Sequence, residues 1–172
     1  YYVESGVGAI SGDSGFRMLS SPVSGQILGE LLTNLWTQGM TGADETFTTS
    51  NVWTLDVANQ SWTALSDISN SGTSLAAGQG FLVYVFEDAD NDGDADLPVN
   101  ISVSGTENSS NATYGCISNG DWGLYGNPYS SNIDWDLITK SNIGSAVYVW
   151  HDAASAYKSW NGSAGGLTSG LI

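Results

Sequence analysis

The run Asp88-Ala89-Asp90-Asn91-Asp92-Gly93-Asp94-Ala95-Asp96 carries a carboxylate at every second position. Hard oxygen ligands at alternate positions, with a glycine at the sixth to permit a sharp turn, reproduce the first half of a Ca²⁺ loop of the D-x-D-x-D-G type. Without a cation the same carboxylates would repel one another. The expected ligands are Asp88, Asp90, Asp92, Asp94 and Asp96, with a backbone carbonyl or water completing the shell. The pattern departs from a full EF-hand, because Val99 stands where the bidentate Glu belongs and the flanking Phe81–Phe86 and Val99–Ser104 read as strands. Five carboxylates leave little open coordination for a substrate, so the ion's expected role is to brace a β-hairpin loop. A solvated acidic loop without metal is the alternative.

Other chemistry is sparse. Cys116 is the single cysteine, which excludes an intrachain disulfide and a C-x-x-C site and reads as a small buried apolar residue. His151 is the single histidine, at a strand end in Val149-Trp150-His151-Asp152, where an exposed or turn-forming role is expected. A glycosidase needs two carboxylates across a cleft; Glu4, Glu30, Glu45, Glu87 and Glu107 are available, but nothing marks a pair. The chain is therefore not expected to be an enzyme. Seven tryptophans and eight tyrosines offer another possibility, since flat aromatic platforms on β sandwiches stack on sugar rings.

The elements that must carry these residues come in two copies. Gly15-Phe16-Arg17-Met18-Leu19-Ser20-Ser21-Pro22-Val23-Ser24 is echoed by Asp121-Trp122-Gly123-Leu124-Tyr125-Gly126-Asn127-Pro128-Tyr129-Ser130. In the same register Ile27, Leu31, Leu32 and Thr33 fall on Ile133, Leu137, Ile138 and Thr139. With length changes in the loops, Asn51-Val52-Trp53 matches Ala146-Val147-Tyr148, and Gln60-Ser61-Trp62 matches Lys158-Ser159-Trp160. The first copy continues into its most apolar strand, Gly80–Phe86, whereas the second reaches Leu171-Ile172 where that strand should begin. A unit lacking that strand exposes a sheet edge or borrows a strand.

Turn residues separate short runs rich in Val, Ile, Tyr, Trp and Thr, the rhythm of an all-β sandwich. Expected strands are Tyr1–Val3, Phe16–Ser20, Ser50–Asp56, Trp62–Leu65, Gly80–Phe86, Val99–Ser104, Trp122–Gly126, Ala146–Trp150 and Lys158–Trp160. Phe16–Ser20 reads as buried on both faces. Gln26–Leu35 carries an apolar stripe at helical period, with Ser24 as its cap, and Asn132–Ile138 keeps a shorter one with Asp134 near its start. The fold class is all-β: two tandem β-sandwich-like repeats, each with one short helix after a Pro turn. The units are residues 1–105, a connector 106–120, and an incomplete second repeat 121–172. Aromatics at repeat-equivalent positions (Phe16 with Trp122, Trp53 with Tyr148, Trp62 with Trp160) read as core. Trp36, Trp135 and Trp150, whose counterparts are not aromatic, are the expected glycan-stacking residues.

Composition bounds the partners. Eighteen acidic residues against three basic ones give a net charge of −15. Such a surface repels phosphate backbones and anionic lipid, so nucleic acid and membrane-surface binding are not expected. The longest apolar stretch, Phe81–Phe86, is too short to span a bilayer. The chain begins at Tyr1 without a signal-peptide pattern, as a processed chain or a piece of a longer one would. Few lysines, many Ser, Thr, Asn and Gly, and the acidic cluster suggest an extracellular protein.

Arg17-Met18-Leu19-Ser20-Ser21-Pro22-Val23, Trp36-Thr37-Gln38-Gly39, Gly78-Gln79-Gly80-Phe81, Val103-Ser104-Gly105-Thr106-Glu107, Gly126-Asn127-Pro128 and Ser159-Trp160-Asn161-Gly162 together carry a family resemblance. The set resembles a repeated β domain of very large secreted proteins of Bacteroidota and related phyla, typically cargo of the type IX secretion pathway. The resemblance spans most of Phe16 to Ile172. It implies a cell-surface location and a modular extracellular protein, and it implies no reaction. In such proteins the run after Gly-Leu-Ile continues into another Gln-Gly-Phe-type strand, which does not follow here, and the C-terminal sorting domain is absent.

Two functions follow as expectations. The first is a structural or adhesive subunit that assembles head to tail with copies of itself by β-strand addition. Its donor strand is Tyr1, Tyr2, Val3 and Glu4, and its acceptor edge is Val147, Val149, Trp150 and Trp160. The second is a carbohydrate-binding module of a larger secreted enzyme or adhesin, with polysaccharide as partner.

Overall fold

The computed structural model describes residues 9–69, 74–114, 118, 120–151, 156–163 and 165–167. The expected strand and donor segment at Tyr1–Glu4 lie outside the described residues, as do Cys116 and Leu171-Ile172. Strands dominate and helix is nearly absent, so the fold is all-β.

The main sheet is antiparallel and four-stranded, in the order β2 (Gly15–Ser20), β8 (Gly80–Val85), β5 (Val52–Asp56), β6 (Ser61–Ala64). β8 lies inside because its sequence is apolar on both faces, which suits a strand paired along both edges. Phe81, Val83 and Val85 turn to the core beside Leu19 and Val52 and are fully buried. Leu82 and Tyr84 turn to the opposite face, with Phe16 and Trp53.

The layer across the core is made of small pieces. β1 (Ala9–Ile10) pairs with β9 (Val99–Asn100), and β4 (Gln26–Ile27) pairs with β7 (Ser74–Leu75). Ile10, Leu75, Met40 and Ile68 join the leucines of the helical segment in one core. Each such side chain contributes roughly 1.5–3 kcal/mol when fully removed from water.

The helix, α1, covers only Leu28–Leu31 rather than Gln26–Leu35. Gln26 and Ile27 are drawn into the ladder with β7, so Ile27 takes the N-cap position, no side chain caps it, and Ser24 lies in β3 (Val23–Ser24). The apolar stripe still does its work, because Leu28, Leu31, Leu32 and Leu35 are all buried although the last two lie beyond the helix. Val99–Ser104 also shortens, to Val99–Asn100, which stand opposite Ile10 and Ala9. Thr106–Glu107 forms β10 and pairs with β3, which ties the start of the 106–120 stretch to the first repeat.

In the second repeat Trp122–Gly126 forms no strand, and within it Tyr125 alone bridges to Gln79. A 3-10 turn covers Trp135–Leu137, and the Asp134 side chain accepts the Asp136 N–H at 3.0 Å, as a carboxylate at a helix start should. β11 (Val147–His151) and β12 (Ala156–Trp160) form a two-stranded hairpin. No helix among the described residues is long and apolar enough to cross a membrane.

Candidate functional site

The acidic loop is closed at its base by the Glu87 carbonyl, which accepts the Asp96 N–H at 2.8 Å. Positive φ at Asn91 (61°) and Gly93 (105°) turns the chain back inside it. Asp88 accepts the N–H groups of Asp92 (3.2 Å) and Gly93 (3.0 Å), and Asp96 accepts that of Ala89 (2.7 Å). One oxygen each from Asp88, Asp90 and Asp96 then lie within 4.8 Å of one another. Asp92 and Asp94 do not join them; Asp92 instead accepts the Asp94 N–H at 3.2 Å. Strict alternation would put all five on one side only in an extended strand, and the two turns break it. Asp90 has its pKa raised by desolvation and by the charges of Asp92 and Asp96. Asp94 is raised by its hydrogen bond with Asp92 and by that residue's charge. Beside the loop an open depression of about 460 Å³ is lined by Thr33, Asn34, Asp90, Asp96, Val99 and Asn100. Three hard carboxylates of this kind suit Ca²⁺ better than a soft metal.

The second repeat is fastened to the first by Trp122–Gly126. The Trp122 N–H donates to Gln60 Oε1 at 2.7 Å, and Gln60 Nε2 donates back to the Trp122 carbonyl at 3.1 Å. The Gly126 N–H donates to the Gly78 carbonyl at 2.7 Å. Leu124 occupies the space where a Cβ on Gly80 would fall, 2.5 Å from its Cγ, so that position requires glycine. Tyr114 stacks on Tyr125 at 4.5 Å and donates its hydroxyl to the Gly126 carbonyl at 2.9 Å. Burial, then the neighbouring Tyr129 and Tyr125, push its pKa up to about 12.

The β11–β12 hairpin repeats the β5–β6 hairpin in the same register. Trp53 opposite Ala64 recurs as Tyr148 opposite Ser159, and Leu55 opposite Trp62 recurs as Trp150 opposite Tyr157. Trp62 therefore corresponds to Tyr157, and the expected match with Trp160 is corrected: the two hairpins keep one loop length. β12's outer edge is covered, because the Ser159 N–H donates to the Gly165 carbonyl (2.7 Å) and the Leu167 N–H to the Ser159 carbonyl (3.3 Å). β11's outer edge pairs with no strand among the described residues. Of the expected acceptor residues, Val147, Val149 and Trp150 lie on β11. Trp160 does not, and its indole donates to Asp136 at 3.0 and 3.1 Å. His151 closes β11 half-buried, and its Nδ1 finds no partner among the described residues.

Burial separates the two repeats most sharply. Leu31 is 2% exposed and its counterpart Leu137 is 82% exposed; Leu32 is buried and Ile138 is not. Among the described residues after Val85, Val149 is the one buried large aliphatic side chain.

Of the repeated aromatics expected in the core, Trp53 and Trp160 are half-buried and the other four are exposed. Phe16 (47%) and Trp122 (57%) are exposed, as are Trp62 and Tyr148. The outer face of Phe16–Ser20 is thus exposed at Phe16 and half-buried at Met18 and Ser20, not buried as expected. On it Phe16 meets Trp53 (5.9 Å between centroids) and Tyr84 (5.1 Å), and Tyr84 meets Phe86 (5.0 Å). Trp36, Trp135 and Trp150 are instead half-buried. The Trp36 indole donates to Gln38 Oε1, and that of Trp135 to the Ser145 carbonyl. Repeat equivalence located the aromatic face, but it could not say whether a second layer covers it.

No family model matches the sequence, and neither a curated protein nor a solved structure shows significant similarity to it.

Proposed function

We propose that the chain is an extracellular structural or adhesive subunit whose second repeat takes a β strand from a neighbouring copy, so that copies join head to tail. The observation that carries this reading is the exposure of Leu137 and Ile138, whose counterparts Leu31 and Leu32 are sealed beneath β8 in the first repeat. An apolar set conserved in type between repeats but left in water is an unfilled core, and strand addition is the economical way to fill it. Heterologous contacts whose rotation does not close a ring build filaments or surface layers. Tyr1–Glu4 is the proposed donor. The composition and the family resemblance support the extracellular location. Ca²⁺ held by Asp88, Asp90 and Asp96 would brace the loop after β8 without taking part in chemistry, and the reading assigns no enzymatic activity. Sedimentation of the chain across a concentration series is expected to show growing oligomers that revert to monomers when residues 1–5 are deleted. Monomers at every concentration would sink the assembly reading.

A second reading has its own support. The sheet face that carries exposed Phe16 and Trp62, with Trp53 and Tyr84 half-buried beside them, offers aromatic rings of the kind that contact sugars. A carbohydrate-binding module should give glycan-array signals that Trp62→Ala abolishes, while Trp135→Ala leaves them unchanged.

A further inference from the structure

We propose that the main-sheet face carrying Phe16, Tyr84, Trp53 and Trp62 holds an uncharged polysaccharide chain laid obliquely across the four strands. This rests on the sugar-binding reading, and it specifies the ligand's charge, length and direction. β2, β8, β5 and β6 lie side by side in that order, and each supplies one of the four rings. Phe16 stands opposite Tyr84, Trp53 opposite Leu82, and Trp62 opposite Leu55. Residues two apart in a strand share a face, so the four rings lie on one side of the sheet and their row slants along it. Neighbouring strands are about 4.8 Å apart, so the row crosses about 14 Å from β2 to β6 before the slant is counted. A single sugar ring is too short to fill it. Its ends are the exposed members, Phe16 (47%) and Trp62 (42%), with Tyr84 and Trp53 half-buried between them. Leu124 of the second repeat fills the place above Gly80 and bounds the face there.

The polar tips of these rings separate a sugar from an apolar partner. Trp36, Trp135 and Trp160 spend their indole N–H groups on acceptors within the chain. Among the described residues the indoles of Trp53 and Trp62 and the Tyr84 hydroxyl make no such bond, and all three side chains reach solvent. A purely apolar surface laid on them would bury these groups without partners. Sugar hydroxyls can pair with them while the C–H face of the ring lies on the aromatic.

Charge selects among sugars. None of the side chains that strand alternation turns to this face is charged, although the chain as a whole carries −15. A uronate or sulfate-bearing chain would be repelled by the surrounding acidic surface, and a second copy seated on this face would bring its own −15. A neutral glycan meets neither opposition.

The test measures retention of the full chain on immobilised neutral polymers (α- and β-glucans, mannan, xylan, chitin) and acidic ones (polygalacturonate, alginate). Retention by at least one neutral polymer and by neither acidic one is expected, and it should hold from about 0.05 to 0.5 M NaCl. Oligosaccharides of the retaining polymer should bind more tightly with each added ring until the row is filled. Phe16→Ala and Trp62→Ala should each weaken the hexamer roughly tenfold and shift the dimer, which still finds the central rings, by less than about twofold. Trp62→Phe keeps a ring and loses the donor, so it should fall between wild type and Trp62→Ala. Melting curves of the variants separate a lost site from a lost fold, and if Phe16→Ala melts early the two Trp62 variants, on the edge strand, carry the test. Retention by no polymer removes the sugar-binding reading itself. Binding that prefers the acidic polymers, ignores chain length or survives Trp62→Ala intact leaves a sugar site elsewhere and overturns this row.

Discussion

Leu31 and Leu137 hold the same place in the repeat and have opposite surroundings. Leu31 packs in the core that Phe81, Val83 and Val85 roof over, so truncation leaves a cavity beneath a rigid sheet. Leu31→Ala is expected to cost about 2–5 kcal/mol. Leu137→Ala removes a side chain already in water, and a change within about 0.5 kcal/mol is expected for the isolated chain. Urea midpoints at constant slope measure both, and an equal loss at the two sites would show that Leu137 is packed in solution. The apolar stripe was legible in the sequence at both positions. Its burial was not, because it depends on a strand some fifty residues away in the first repeat (Leu31 to Phe81) that has no counterpart among the described residues of the second.

At the scale of elements, the acidic loop was the most legible feature and also the one most changed in detail. The alternating Asp pattern announced a cation loop, yet the left-handed residues Asn91 and Gly93 turn Asp92 and Asp94 out of the cluster. The short α1 gives the same lesson: period located the buried leucines, while pairing of Gln26–Ile27 with β7 decided where the helix began. The loop's electrostatics give a signed prediction. Because the pKa values of Asp90 and Asp94 are raised in the folded chain, their protonated forms favour folding. That contribution is present below the ordinary Asp value and is lost as pH rises through the raised values. In EDTA, Asp90→Asn should therefore raise the melting temperature at pH 7, and the gain should shrink as pH falls through the acid range. In millimolar Ca²⁺ the sign should reverse, since the substitution removes a ligand. A wild-type chain that melts identically with and without Ca²⁺ would remove the ion from the loop.

For the whole molecule, charge opposes the proposed assembly. Two copies each carrying −15 repel at long range, while the proposed contact is a strand ladder with an apolar underside. Screening acts on the first of these and hardly on the second, since the Debye length falls from about 30 Å at 0.01 M to about 8 Å at physiological ionic strength. Self-association should therefore strengthen as NaCl is raised, the reverse of an interface held by ion pairs. At equal ionic strength CaCl₂ should strengthen it further than NaCl, because a bound ion at Asp88, Asp90 and Asp96 removes net charge as well as screening it. The Asp90→Asn chain should lose most of that extra Ca²⁺ effect and keep the NaCl effect. Sedimentation in the two salts reads the difference directly: association that weakens with NaCl would mean that the copies meet through charge, and the apolar ladder would be the wrong interface.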